Sequence, residues 1–274
     1  MNFKRMSIIP VALLIVCTIY LIFLIATNEL ALDIDLKGGT QIIAEYNKQV
    51  SEVELESILK QYDASVRTAK GLTTYTIFIE FDTEINPENI LKTLKENGYL
   101  LESYSIQSIG PALGSAFLQQ AVFVLMFSFV FMAFTVFFIF KNPLPSFFLV
   151  LTPTSDIIET LVFSQIFGIK LSLASFAALL LLVGYSVDDN ILLTARALKR
   201  EGDLDEEIKS SFRTGITMVG ATLVALMSLF IISASTVIDQ IAAVLVIGLI
   251  IDLLNSWILN VGLLKWYLGR KNET

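Results

Sequence analysis

There is no histidine among the 274 residues and a single cysteine, Cys17. The first absence excludes His-ligated metal centres and the side chain whose charge changes nearest neutral pH. The second excludes a disulfide within the chain. Charge is scarce too: Asp, Glu, Lys and Arg make up 16% of the sequence, against about 25% in a soluble domain. The balance is acidic, at −7. Phosphate binding needs clustered Lys and Arg, so nucleic acid is not an expected partner. No metal or other cofactor is expected.

What is present is apolar. Hydrophobic residues make up 55% of the chain, above the roughly 45–50% of a soluble domain. They gather into runs at 8–26, 116–140, 146–167, 171–195, 214–235 and 239–264. Each reaches or approaches the ~20 residues a membrane-spanning helix needs, so six spans are expected. Lys4 and Arg5 before the first run imitate a signal peptide. That run is long enough for a full span, and no small-residue cleavage site ends it, which predicts an uncleaved first span. Inner segments of membrane proteins carry an excess of Lys and Arg. With the N-terminus inside, Lys4, Arg5, Lys141, Arg196, Lys199, Arg200, Lys209, Arg213, Lys265, Arg270 and Lys271 all fall on inner segments. The short outer connections carry only Lys170. Both termini are then cytoplasmic, and a multi-pass protein of the plasma membrane, in contact with lipid, is expected.

The same rule places a polar insert of about 85 residues outside, between the first two spans, and it is large enough to fold alone. The chain divides into 1–27 (N-terminal tail and first span), 28–112 (the outer domain) and 113–274 (spans two to six and a short cytoplasmic tail). In the insert, TQIIAEY (40–46) has β character. SEVELESILKQY (51–62) opens with Ser51 as an N-cap and Glu54 three residues on, then keeps helical spacing. ASVRTAK and TTYTIFIEF flank Gly71 as the arms of a hairpin. INPENILKTLKENG has Pro87 at a helix start and Gly98 past its end. YLLESYSIQSI reads as a last strand. The order β-α-β-β-α-β is that of a ferredoxin-like α+β fold. That fold identifies no function by itself. The expected architecture is an α-helical membrane protein of six transmembrane helices with this small extracytoplasmic domain between the first two.

Charge inside a span costs at least roughly 2.5–3.5 kcal/mol at the centre, so intramembrane carboxyls are candidate functional groups. The third span carries Asp156 and Glu159, the fourth Asp188 and Asp189, and the sixth Asp252 with Asn255 and Ser256 within one turn. At ~1.5 Å per residue, Asp188 lies about 12 Å from the inner end near Arg196, and Asp156 lies about 15 Å deep. The two share a level, and only GIK separates the apolar runs of the third and fourth spans. Burial disfavours the charged form of a carboxyl, and a neighbouring carboxylate disfavours it further. Such a cluster holds and releases protons, and an arginine such as Arg213 moving toward or away from it couples protonation to conformation. A purely structural polar knot between helices is the alternative. Asp188 and Asp189 point about 100° apart, so only one can face the third span. The expectation favours Asp188, which leaves Asp189 on the side of Arg196. Gly184, Ser186, Ala174 and Ala178 fit close helix contact.

These residues carry a resemblance. AALLLLVGYSVDDNILLTARALKRE is similar to the fourth-span signature of the SecF family, the smaller subunits of SecD–SecF protein-export complexes. Ala177, Ala178, Leu179, Gly184, Tyr185, Ser186, Val187, Asp189 and Arg196 match it. LDIDLKGGT resembles the D-x-x-G-G-T that follows the first span, through Asp35, Gly38, Gly39 and Thr40. SFRTGIT resembles the start of span five through Arg213, Thr214 and Thr217. Ser155-Asp156 stands where the family usually has H-D. Asp188 replaces an Asn, while V-D-D-N also resembles the sister subunit's Asp-x-Asn through Asp188 and Asn190. The departures look more like an archaeal than a bacterial member. The resemblance implies an RND-like membrane fold and no enzymatic activity. It also implies a SecD partner, a SecYEG-type translocon, an exported unfolded polypeptide as substrate, and drive by the proton motive force.

Other readings are weighed against this one. An RND-like exporter of small molecules or lipids usually has twelve spans and two large outer domains, whereas six spans and one small domain demand a partner. An aspartyl protease dyad of Asp156 and Asp188 lacks the expected G-x-G-D. A structural stabiliser of a translocase would use its carboxyls as helix glue.

Overall fold

The computed structural model describes residues 7–46, 50–70, 75–99, 101, 103–199, 203–233 and 235–271. Lys4, Arg5, Gly71 and Arg200, used in the sequence reading, lie outside them. α1 (Ile8–Ala26) is the first of six helices, among the described residues, long and apolar enough to cross a membrane. A short connection leads to α2 (Ile34–Lys37) and then to a sheet unit. This comprises β1 (Gly39–Tyr46), α3 (Glu52–Leu59), a 3-10 turn over Lys60–Tyr62, β2 (Ser65–Lys70), β3 (Tyr75–Phe81), α4 (Pro87–Glu96) and β4 (Ser103–Ile109). Four spans follow: α5 (Pro111–Phe140), α6 (Pro143–Ile166), α7 (Leu173–Lys199) and α8 (Leu204–Ile232). The sixth is built from α9 (Thr236–Leu254), a π-helical segment over Asn255–Asn260 and α10 (Val261–Lys271). α7 and α8 run beyond their apolar stretches, so the polar residues between the fourth and fifth spans are mostly helix ends.

α6 and α7 form the centre of the bundle. Leu149 and Ile157 of α6 and Phe176, Ala178, Leu179 and Leu182 of α7 lie in one buried cluster with Val244, Leu245 and Leu249 of α9. α1, α5 and α8 stand at the periphery. They expose large apolar side chains such as Ile19, Phe131, Phe134 and Ile232, each more than 60% accessible. Such a surface is at home in hydrocarbon, where the helix satisfies its own backbone groups.

The sheet is antiparallel throughout, in the order β2-β3-β1-β4. Its strand and helix order is the ferredoxin-like one expected. Ile42 stands opposite Ile79, and Ile77, Leu55, Leu59, Ile90 and Leu94 complete a core between the sheet and α3 and α4. Ser51 occupies the N-cap of α3, but its hydroxyl makes no capping hydrogen bond. Asn86 does cap α4, accepting from the Glu88 N–H at 3.0 Å.

The D-x-x-G-G-T stretch has a physical explanation. Asp33 caps α2 by accepting from Ile34 N–H, and Gly38 then turns the chain at φ +84°. A Cβ on Gly38 would lie 2.6 Å from Pro111 Cα, and one on Gly114 would lie 2.5 Å from Gly38 N. Two backbones therefore meet where α5 begins. Gly38→Ala is expected to cost about 1–3 kcal/mol, through strain at positive φ together with the clash. Gly98 is the control, since it has φ +87° and open space around it. A thermal unfolding series should give Gly38→Ala a clearly larger drop than Gly98→Ala, and equal drops would contradict the close approach.

The sheet unit is tied to the bundle at the tip of the α6–α7 hairpin. Leu171 N–H donates to Ala31 O at 2.8 Å, and Asp33 N–H donates to Leu171 O at 2.7 Å. Gln165 Oε1 accepts from Ala31 N–H at 2.8 Å. Glu80 of β3 is 3% exposed and pairs with Lys170 of the tip at 2.6 Å and with Arg67 of β2. Gln240 of α9 donates to Asp33 at 3.0 Å.

Candidate functional site

Residues three and four apart share one face of a helix. α6 therefore presents Asp156 and Glu159 together, α7 presents Ser186, Asp189 and Asn190, and α9 with its extension presents Asp252, Asn255 and Ser256. All eight are buried, at 0–4% exposure. Asn260 is the ninth. In an α-helix, Asn255 and Asn260 would point about 140° apart. The i→i+5 winding of the π segment narrows that angle, and both amides enter the bundle.

Hydrogen bonds join the three helices. Ser186 Oγ donates to Asp156 Oδ2 at 2.6 Å. The Asn255 amide donates to Asp156 Oδ1 at 2.8 Å and to Glu159 Oε2 at 3.0 Å. Ser256 Oγ donates to Asp252 Oδ1 at 2.9 Å. The Asn190 amide donates to Ser186 O at 2.8 Å and to Ser256 Oγ at 2.9 Å, and the Asn190 carbonyl accepts from Asn260. Asp252 also faces Asp156. A Cβ on Gly215 of α8 would sit 3.4 Å from Asp189 Oδ2 and 2.5 Å from the Trp257 ring. That glycine lets α8 close over Asp189.

Four carboxyls thus meet with no cation. No ion pair among the described residues involves Asp156, Glu159, Asp189 or Asp252. Glu159 Oε1, both Asp189 oxygens, Asp252 Oδ2, Asn255 Oδ1 and Asn260 Oδ1 are buried and have no donor among the described residues. Orphaned buried acceptors cost roughly 1–3 kcal/mol each.

Three expectations are corrected. Asp189, not Asp188, is the buried aspartate: Asp188 is exposed. The buried stripe of α7 runs through Leu179, Leu182, Ser186, Asp189 and Leu193, and Asp188 lies on the opposite side with Leu181 and Tyr185. Arg213 does not join the cluster. The inward face of α8 is Ser211, Gly215 and Val219, and Arg213, two residues from Ser211, is carried about 200° around the helix and is exposed. Arg196 is half-buried and donates to Ser210 Oγ at 3.1 Å. Gly184 makes no close contact within the chain: it faces outward, with nothing within 4 Å of its Cβ position. The close helix approach is instead at Gly248, against Leu182.

The family-motif residues after α1 are structural in this chain. Asp35 accepts from Leu173 N–H, at the start of α7. Burial, and then the charge of Asp33, push its carboxyl up, against the lowering effect of that hydrogen bond. The Thr40 hydroxyl bonds to Ser108 at 2.9 Å, pinning β1 to β4. Asn260 was not among the expected site residues, and Asn190 and Ser256 were named only beside Asp188 and Asp252. The signal for Ser256 and Asn260 is the spacing Asp252, Asn255, Ser256, Asn260, polar positions in an otherwise apolar span, and the signal for Asn190 is its place one turn from Ser186 on the fourth span.

Comparison with known proteins shows the family. The family model "Protein export membrane protein SecD/SecF, C-terminal" matches residues 89–270. The chain belongs to the SecD/SecF family. A SecF protein of Methanolacinia petrolearia is 38% identical to this family member, over 97% of this chain and 94% of that protein. One of Methanocaldococcus jannaschii is 36% identical, over 97% and 96%. The crystal structure of SecDF from Thermus thermophilus superposes with a TM-score of 0.78 at 20% identity, covering 99% of this chain and 39% of that one. This family member thus has the fold of a part of SecDF.

Proposed function

We propose that this chain is the SecF-type subunit of a protein-export complex, a transport subunit and not an enzyme, and that its buried carboxyl cluster carries protons across the membrane. The observation that carries the reading is the cluster of Asp156, Glu159, Asp189 and Asp252, buried and, among the described residues, without a cation and short of hydrogen-bond donors. Protein export is the activity in the names of the relatives, and a SecD partner follows from the likeness to SecDF. In this reading the N- and C-termini are cytoplasmic, the sheet unit lies outside the plasma membrane, and a SecYEG-type translocon delivers the unfolded polypeptide. The relatives at 33–38% identity support the archaeal type.

A proton reaching Asp189 or Asp252 neutralises a carboxyl that faces no cation. Ser256 links Asp252 to Asn190, and Ser186 links Asn190 to Asp156, so hydroxyl and amide groups run from the carboxyl of α9 across α7 to that of α6. Loss or gain of a proton changes which of these groups donates, and the three helices repack. Asp188 supports the partner: an exposed carboxyl on the outer stripe of a central span is costly against lipid, and a second subunit's helix lying over Gly184, Tyr185 and Asp188 removes that cost.

The test uses membrane vesicles carrying the chain together with its SecD partner and a translocon. Export of a secreted protein should rise when a proton gradient is imposed, and a protonophore should remove the rise. Equal export from vesicles lacking this chain would sink the reading.

A further inference from the structure

A cavity of about 650 Å³ separates the sheet from the ends of the spans. Its sheet side is the face opposite α3 and α4, where Gln41, Arg67, Phe78 and Gln107 come from four strands in register. The rest of its wall includes Asp33 and Asp35 at α2 and Asp239 and Gln240 at the start of α9. A space of this size, with a few convergent polar groups among apolar ones, is what a small-ligand site looks like.

The charges at the wall do not cancel. Three carboxyls, of Asp33, Asp35 and Asp239, stand against the one guanidinium of Arg67. Asp33 lies 3.8 Å from Arg67 and also accepts from Ile34 N–H and Gln240. Asp35 and Asp239 are in no ion pair among the described residues. Asp35 is half-buried and accepts from Leu173 N–H. Asp239 Oδ1 is buried with no donor among the described residues. Arg67 is partly unused as well. It engages Glu80 and Asp33 through Nη2 alone, and neither Nη1 nor Nε donates to an acceptor among the described residues. The cavity therefore lacks a cation for two carboxyls and an anion for one guanidinium. A bare metal ion does not answer this, since no group of three acidic residues among the described residues is placed to share one.

The remaining wall is apolar and leads to the surface of the bundle. Phe230 at the end of α8 and Val237 on α9 line the cavity and are 49% and 55% exposed. Ile231 and Ile232 beside them are more than 60% exposed, on the surface that suits hydrocarbon. A ligand with a zwitterionic head and a hydrocarbon tail matches all three features.

We propose that this cavity binds one phospholipid whose headgroup carries both a phosphate and a primary ammonium, with its chains leaving past Phe230 and Val237. The proposal concerns the cavity alone and does not depend on the proton path. Arg67 donates to a phosphate oxygen in a charge-assisted hydrogen bond. Asp35 and Asp239 accept from the ammonium, which has three donors. A quaternary ammonium has none, and it is usually held in a cage of aromatic rings. Only Phe78 and Phe230 are aromatic here. A headgroup so placed bridges β2 and α9 and fixes the sheet unit on the bundle.

The test uses the full chain with its partner subunit in nanodiscs. These hold equal parts of an ethanolamine, a choline and a glycerol phospholipid with the same chains. Lipids retained after detergent extraction are counted by native mass spectrometry. One ethanolamine lipid per complex should be retained in preference to the other two. Asp35→Asn with Asp239→Asn should lower its retention about tenfold or more. Ala243→Phe, which narrows the cavity and removes no charge, should lower it too. Glu84→Gln with Glu88→Gln, the same loss of charge at exposed positions, should leave it unchanged. Equal retention of the three lipids, or retention by both cavity variants, would overturn the proposal. Displacement of the lipid by free phosphoethanolamine at equal concentration would show a site for a soluble zwitterion and overturn the lipid assignment. So would a cross-link from Gln107→Cys, in a Cys17→Ser background, to the partner subunit, because a partner segment would then fill the cavity.

Discussion

Asp189→Asn is expected to abolish the stimulation of export by a proton gradient while the complex folds and assembles as before. Both Asp189 oxygens are buried and accept no hydrogen bond among the described residues. The isosteric amide therefore breaks no hydrogen bond, and the change in stability should stay below about 1 kcal/mol. What is lost is the titratable group. Asp156→Asn has a different signature. Its two oxygens accept from Ser186 and Asn255. An amide there turns one acceptor into a donor facing a donor, which costs about 1–3 kcal/mol. It should lower thermal stability and gradient-stimulated export together. Asp188→Asn, at an exposed position, should spare the gradient response and shift only the affinity for the partner. The three variants, compared by vesicle export and by thermal unfolding, separate a proton path from helix glue. If Asp189→Asn exports with full stimulation, the path does not run through that residue.

Glu80→Gln is expected to loosen the sheet unit from the α6–α7 tip. Burial alone pushes the Glu80 carboxyl up, but the hydrogen bond from Lys170 and the charges of Arg67 and Lys170 outweigh it and hold the group below its usual range. Removing one partner of a buried ion pair costs about 3–5 kcal/mol. The lower end applies here, because Arg67 is 35% exposed and screened. A carboxyl whose folded value is depressed contributes stability above its unfolded value of about 4.3, and that contribution is lost as pH falls through the folded value. The junction should therefore weaken on acidification below about pH 4, and the Gln variant should lack this dependence. Hydrogen exchange at the Asp33 and Leu171 amides, which close the Ala31–Asp33 bridge to the tip, reads it directly. Faster exchange in Glu80→Gln at neutral pH is the expected result, and unchanged protection would contradict it. The helices that carry Asp156, Ser186 and Asp189 end at the loop that holds Lys170, so in the proposed mechanism repacking at the cluster would move the anchor of the sheet.

The six spans and the strand order of the insert were legible because both are written in local patterns: long apolar runs, and alternation broken by turn residues. The cluster was legible only in part. Asp156, Glu159, Asp189 and Asp252 stand out by their cost in an apolar span, but which of two adjacent aspartates faces inward depends on a 100° rotation that hydropathy does not specify. Leu181 and Tyr185, apolar and aromatic, look like core and lie on the outer stripe with Asp188. In a bilayer, lipid-facing and core-facing residues are both apolar, so pattern alone does not assign the face. Asn260 was missed because the α-helical period sets it apart from Asn255, and a π segment is not readable from composition. Arg213 looked like a charge partner through its place in the chain alone. The Glu80–Lys170 pair joins residues 90 apart in sequence, and nothing local to either announces it.

The central claim is that the buried carboxyls take up and release protons. Infrared difference spectroscopy of the complex in lipid, between acidic and alkaline buffer, tests it most directly. The account predicts protonated-carboxyl C=O bands in the difference spectrum, diminished in Asp189→Asn and in Asp252→Asn and unchanged in Asp188→Asn. Carboxylate bands alone across that range, with no protonated carboxyl in the native complex, would contradict it.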